Sequence, residues 1–81
     1  SNGMIYFATE NPNEIKVIEN NVVRTILRSS TSNRLYLLSS VNDIVGDNQG
    51  NLYFSDFYLH NIRKIHIKSE NVYWFAGSTN G

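Results

Sequence analysis

Two histidines and an aspartate lie close together in the sequence and raise the question of a metal site. His60 follows Asp56 by four residues, and His66 lies six residues further on. Imidazole nitrogens and carboxylate oxygens are common metal ligands, but only where their spacing lets them converge. His60 falls in a predicted loop and His66 within a predicted strand, so the spacing fixes no ligand geometry. We therefore predict no metal ion and no cofactor here.

A basic run, residues 63–68 (RKIHIK), is the feature best suited to nucleic acid. Its basic residues alternate with isoleucine, as in a partly exposed strand, and no aromatic residues are interleaved with them for base stacking. The formal net charge of the chain is zero, which removes broad electrostatic attraction to nucleic acid and to anionic membranes. Nucleic-acid binding and membrane binding are therefore not expected.

Motifs of catalysis are not found in the sequence. It contains no glycine-rich phosphate loop, no nucleophile motif and no pair of carboxylates at a useful spacing. The 81 residues allow one small domain, and without cysteines the chain has neither disulfides nor a thiolate metal site. We expect a non-enzyme more than an enzyme.

The apolar runs are too short for a membrane-spanning segment. The longest, residues 72–76, is far below the length that crosses a bilayer. The N-terminus lacks the basic and then apolar layout of a signal peptide. We therefore expect a soluble chain, whose location in the cell the sequence does not indicate.

The segments that must position these residues are typical of β-strands, and they occur twice. Short runs rich in β-branched and aromatic residues alternate with clusters of Asn, Gly, Ser and Asp. A shift of 47 residues superimposes most of them, and the shift becomes 49 near the end, as a short loop insertion would explain. The matching segments are residues 3–7 (GMIYF) with 50–54 (GNLYF), 15–18 (IKVI) with 62–65 (IRKI), and 23–27 (VRTIL) with 72–76 (VYWFA).

The strands are apolar on both sides, which indicates sheets that are covered twice. In residues 51–56 (NLYFSD), Leu52 and Phe54 point one way and Tyr53 the other. The preceding segment, Asp47 to Gly50, predicts a tight turn with a structural aspartate and a left-handed glycine. Small antiparallel sheets stacked between like neighbours form the blades of a propeller, each of about 40 to 50 residues. The sequence therefore predicts an all-β fold of antiparallel propeller blades.

The second copy contains a set of motif positions: Asp47, Gly50, Leu52, Tyr53, Asp56, Asn61, Ile62, Arg63, Lys64, Ala76, Gly77 and Ser78. At these matching positions, residues 41–81 resemble an NHL repeat, a β-propeller blade motif. The resemblance implies an incomplete blade over residues 1–27 (strands B, C and D), a connection over 28–40, and a four-stranded blade over 41–81 (strands A to D). Within the connection, residues 35–38 (LYLL) fit either an extra strand or a packed linker. The first copy departs from the motif because Thr9 stands where the second has Asp56, which the resemblance makes a structural residue.

Propellers of this family bind partners through the loops at one end, so the resemblance implies a protein-interaction scaffold. The residues of these loops suited to partner binding are Arg28, Phe57, Tyr58 and His60. Phe57 could equally be a packing residue. Two alternatives remain: part of a propeller enzyme with a metal-dependent lyase or hydrolase site, and an RNA-binding NHL propeller.

The resemblance also implies that the chain is only part of a ring. We expect either self-association into a homo-oligomer or completion by further blades of a longer parent chain. Residues 5–8 should form an unpaired edge. Apolar side chains on the outer faces, such as Tyr6, Phe7, Tyr73 and Phe75, should lack the neighbours that would cover them.

Overall fold

The computed structural model describes residues 3–77, which form seven β-strands in two antiparallel sheets. The strands are β1 (Met4–Thr9), β2 (Glu14–Glu19), β3 (Val22–Arg28), β4 (Val41–Gly46), β5 (Asn51–Asp56), β6 (Asn61–His66) and β7 (Asn71–Gly77). Sheet 1 has the order β1-β2-β3, and sheet 2 has the order β4-β5-β6-β7. The predicted all-β, antiparallel class is confirmed. Ser78, one of the matching positions, lies outside the described residues.

The two sheets share strand order and local detail. Strands β1 and β2 correspond to β5 and β6 at the 47-residue shift, and β3 corresponds to β7 at a shift of 49. The loop before β3 has two residues and the loop before β7 has four, which accounts for the change. Both sheets carry a register irregularity at the same place, between Ile15 and Lys16 in one and between Ile62 and Arg63 in the other.

The turns explain part of the asparagine content. Asn20 and Asn21 form the two-residue loop between β2 and β3, and both have positive φ angles, of 53° and 64°. Positive φ at both central residues defines a type I′ hairpin turn, which asparagine tolerates better than most residues. Asn48 (φ 64°) and Gly50 (φ 85°) take the same left-handed region in the turn before β5.

The core lies between the sheets, and the two sheets bury opposite faces of the repeated unit. In sheet 2 the residues that point inward include Leu52, Phe54 and Ile65, all essentially inaccessible. In sheet 1 the buried residues include Ile15 and Val17, whose counterparts at the 47-residue shift lie on the outer face of sheet 2. Among the described residues, the buried hydrophobic side chains are those of Ile15, Val17, Ile26, Leu27, Leu38, Leu52, Phe54, Ile65 and Val72.

Tyr6 does not lie where it was expected. It packs against the core. Its ring lies close to Gly46 of β4, because a Cβ atom built on Gly46 would be 3.6 Å from Tyr6 Cε2. The alternation of side chains along a strand therefore turns Phe7, its neighbour, to the outer face. The other two residues expected on outer surfaces, Tyr73 and Phe75, are 45% and 60% exposed.

The connection between the sheets is a packed linker and forms no extra strand. It contains one 3-10 turn, η1 (Arg34–Tyr36), capped by the side chain of Asn33. After this turn the chain brings Leu38 into the core, where only 2% of it is exposed. Within residues 3–77 no helix is long and apolar enough to cross a membrane.

Candidate functional site

A buried ion pair organises the end of sheet 2 where β5 passes to β6. Asp56 ends β5 and Arg63 lies within β6, and both side chains are fully buried. The Nη2 atom of Arg63 lies 3.6 Å from Oδ2 of Asp56. This Nη2 atom makes no hydrogen bond among the described residues, so the two groups are held together by charge and by their other partners.

The Asp56 carboxylate joins the loop to the linker. It accepts hydrogen bonds from the backbone amides of Ser39 (2.7 Å) and Ser40 (3.0 Å) in the linker, and from that of Leu59 (3.1 Å) in the β5–β6 loop. Bonds from backbone amides to an ionised carboxylate are about twice as strong as neutral ones. One side chain therefore fixes the positions of two surface segments.

Arg63 holds the other part of the linker. Its Nη1 atom donates to the carbonyl oxygens of Leu35 (2.9 Å) and Leu37 (2.6 Å). The guanidinium also lies over the Phe54 and Trp74 rings, at 4.8 and 5.8 Å from their centroids. Burial lowers the pKa of Arg63 below its ordinary value, and the charge of Asp56 opposes this shift. Arg63 is thus a structural cation, unavailable to a ligand.

The β5–β6 loop presents two adjacent aromatic residues to solvent. Phe57 and Tyr58 are each 70% exposed, and the Phe57 ring lies 6.3 Å from that of His60. The backbone beneath them is fixed, because Phe57 N–H donates to the Ser40 carbonyl (2.9 Å) and His60 N–H to the Asp56 carbonyl (2.8 Å). The structure thus brings together three of the four residues predicted to bind a partner.

The fourth, Arg28, lies at the end of β3 in sheet 1. Its Nε atom donates to Oε2 of the buried Glu14 at 2.6 Å, although 72% of the Arg28 side chain is exposed. Lys16 contacts the other carboxylate oxygen at 3.0 Å. The hydrogen bonds from Lys16 and Arg28 lower the pKa of Glu14 below its ordinary value of 4.5. Arg28 therefore takes part in an ion-pair cluster of sheet 1, apart from the other three predicted residues, while most of its side chain stays exposed.

Each copy contains an ion pair between an acid and a cation of its second strand, but the acid occupies a different position in the two copies. At the 47-residue shift, Thr9, Glu14 and Lys16 correspond to Asp56, Asn61 and Arg63. The acid has moved from the end of the first strand to the start of the second, where it still pairs with the cation. Thr9 instead donates to the carbonyl of Pro12 at 2.9 Å.

A polar groove lies between the sheets, beside the linker residues that Asp56 binds. It has a volume of about 330 Å³, and its lining includes Thr9, Asn13 and Ser39. A second groove, of about 290 Å³, runs beside Phe57, His60 and Ile62. We call the exposed residues Phe57, Tyr58 and His60, with the two grooves beside them, the loop-end surface.

The predicted turn residues occupy a tight turn. Asp47 Oδ1 accepts from the amides of Gln49 (2.8 Å) and Asn51 (3.2 Å), and its Oδ2 accepts from the Asn51 side chain at 3.0 Å. The hydrogen bond from the Asn51 side chain contributes most, and the backbone amides contribute less, to a pKa of Asp47 below its ordinary value of 3.8. Gly50 has the left-handed φ that completes the turn.

The histidines do not form a ligand set. His60 lies in the loop before β6, and His66 ends that strand, where its Nδ1 atom lies 3.0 Å from Ser69 Oγ. Residues 3–77 contain no group of three His, Asp or Glu side chains that could hold a metal ion. The basic strand likewise presents fewer charges than its sequence implies, since Arg63 points into the core.

Sequence reasoning did not find the role of Arg63 in holding the linker. Its counterpart Lys16 makes an ion pair with a residue of its own strand, so the repeat gave no indication of a contact with the linker. The one available signal was the pairing of an acid at a strand end with a cation two residues into the next strand.

Comparisons of the chain with protein-family models, with curated proteins and with solved structures found no match. The resemblance to NHL repeats therefore depends on the motif residues named above and on the repeat itself.

Proposed function

We propose that this chain is a non-catalytic interaction module, built from NHL-like propeller blades, whose loop-end surface binds a protein partner. The observation that carries the proposal is the pair of exposed aromatic residues, Phe57 and Tyr58, on a loop whose backbone is fixed by a buried carboxylate. Aromatic residues with a solvent-exposed face dominate the energy of many protein interfaces.

The fixed backbone matters because ordering a loop on binding costs free energy. Here Asp56 bonds to the Leu59 amide within the loop, and Phe57 bonds to the linker through its own amide. The loop is therefore already ordered in the free protein. A partner that covers both rings would lose little of its binding energy to loop ordering.

Three observations support the propeller part of the proposal. The two sheets have strand orders that match strands B to D of one blade and A to D of the next. They correspond at a shift of 47 residues, within the range of propeller blades. They also bury opposite faces of the repeated unit, as stacked blades do.

The test compares partner capture by three forms of the chain. The variant Phe57→Ala with Tyr58→Ala should lose the captured protein, whereas Val22→Ala, an exposed residue at the opposite end of sheet 1, should retain it. The captured protein is then purified, and its affinity for each form is measured directly. We expect the double variant to bind at least about a hundredfold more weakly, which corresponds to two aromatic contacts of moderate energy. Equal affinity for the double variant and the wild type would place the binding surface elsewhere.

A further inference from the structure

The outer face of sheet 1 carries the same apolar row that sheet 2 buries. In sheet 2, Leu52, Ile65 and Val72 are cross-strand neighbours in one row, and at most 3% of any of them is exposed. In sheet 1 the corresponding row is Ile5, Ile18 and Val23, which are cross-strand neighbours in the same way. Ile5 is 63% exposed and Val23 is 54% exposed. The row thus has the composition of a buried one, yet within residues 3–77 both of its end residues remain exposed.

The outer face of sheet 2 shows the converse relation. Ile62 and Ala76, cross-strand neighbours on that face, correspond to Ile15 and Leu27, which sheet 1 buries against sheet 2. In sheet 2 the isoleucine, Ile62, is 37% exposed.

Tyrosine occupies another matched pair of positions on these faces. Tyr53 corresponds to Tyr6, which packs into the core. Tyr53 instead meets Phe75 edge-on at 5.0 Å on the open face. A groove of about 230 Å³ lies between Val45, Tyr53 and Ile62 on this face. The face therefore has the shape and composition of one that accepts a neighbouring sheet.

We infer that the outer face of sheet 1 of one molecule docks on the outer face of sheet 2 of a second copy, and repeats the packing between sheets within the chain. The occupant is a second copy because the two open faces are the two halves of an interface that the chain already contains. Such a contact joins different surfaces of the two molecules, so it is head-to-tail. This inference does not depend on the proposed function, which uses the loop-end surface.

A charged residue is one of the differences between the inferred interface and its template within the chain. Lys64, whose ammonium lies 5.5 Å from the centre of the Tyr73 ring, stands where sheet 1 has the buried Val17. A cation in this row weakens docking because it loses hydration when the face is covered. We therefore expect Lys64→Val to strengthen association about tenfold. The added variant Ile5→Glu should abolish that gain.

The decisive experiment uses two variants of the 81-residue chain, each with one face blocked. Ile5→Glu places a charge on the face of sheet 1, and Phe75→Glu places one on the face of sheet 2. We expect each variant alone to self-associate at least about tenfold more weakly than the wild type in sedimentation velocity. An equal mixture should form a species of two chains and no larger, because only one intact face of each kind remains.

Controls separate this contact from misfolding and from the loop-end surface. Circular dichroism checks that each variant keeps its sheets, and Val23→Glu and Tyr73→Glu replace any variant that does not. Phe57→Ala with Tyr58→Ala should self-associate like the wild type. The inference is overturned if the wild type remains a monomer at its highest soluble concentration. It is equally overturned if Ile5→Glu leaves association unchanged, or if the mixture contains only monomers.

Discussion

The substitution Asp56→Asn tests whether one buried carboxylate fixes the linker and the loop. Asparagine keeps the shape of the side chain but removes its charge and one acceptor oxygen. With the amide nitrogen at the Oδ2 position, it would oppose the Ser39 amide, now 2.7 Å from that oxygen, and the guanidinium of Arg63. Arg63 would then be a buried cation without a counter-ion.

Removing one partner of a buried ion pair costs about 3 to 5 kcal/mol. At 0.05 to 0.15 kcal/mol per residue, a chain of this length has a stability of about 4 to 12 kcal/mol. The variant should therefore lose a large part of its free energy of unfolding. With a urea m-value of about 1 kcal/mol/M for so small a chain, the midpoint should fall by about 3 M or more.

Urea unfolding followed by the fluorescence of Trp74, the single tryptophan, measures this loss. The matched control is Asp43→Asn in β4, where the aspartate is exposed, and its effect should stay within about 0.5 kcal/mol. Amide hydrogen exchange of Ser40 and Leu59 should also become faster in the Asp56 variant. A loss below about 1 kcal/mol with an unchanged m-value would refute the reasoning.

Two further predictions concern pH and backbone conformation. Because the folded-state pKa of Glu14 is depressed, its contribution to stability is present above the ordinary pKa of 4.5 and is lost as pH falls through the folded value. When stability is measured against pH, Glu14→Gln should therefore reduce the loss on the acid side. Glu10→Gln, at an exposed loop residue, should leave that loss unchanged. Gly50→Ala should lower the free energy of unfolding by about 1 kcal/mol, measured by heat or urea, because φ is 85° at that residue. Gly46→Ala should cost less, because a Cβ there meets Tyr6 only at ordinary contact distance. Equal losses at the two glycines would contradict the structural role given to the left-handed conformation of Gly50.

Local composition was enough to predict the all-β class and the repeat, because strand signals depend on neighbouring residues. It also placed the turn at Gly50, where Asp47 and the glycine have recognisable roles. Faces were harder to predict. Tyr6 was expected outside because its exposure depends on which side of β1 meets β4, and that is a tertiary contact.

The linker illustrates the same limit. The run at residues 35–38 is apolar enough for a strand, but its backbone carbonyls are bound by Arg63, a side chain 26 residues or more further along the chain. No local pattern reports such a contact. The burial of Arg63 also removed a charge from the basic strand that the sequence alone had presented as partly exposed.

The use of opposite faces by the two sheets has a consequence for how the coding sequence can lengthen by duplication. In a sandwich related by a two-fold axis, the two sheets bury equivalent faces against each other, and no matching surface remains for a third sheet. Here an in-frame tandem duplication of the segment from the linker through β7 would encode a further sheet whose docking face already has its complement. Each added copy would bury one more interface of the same kind. Unequal recombination could therefore change the number of sheets without any new type of contact.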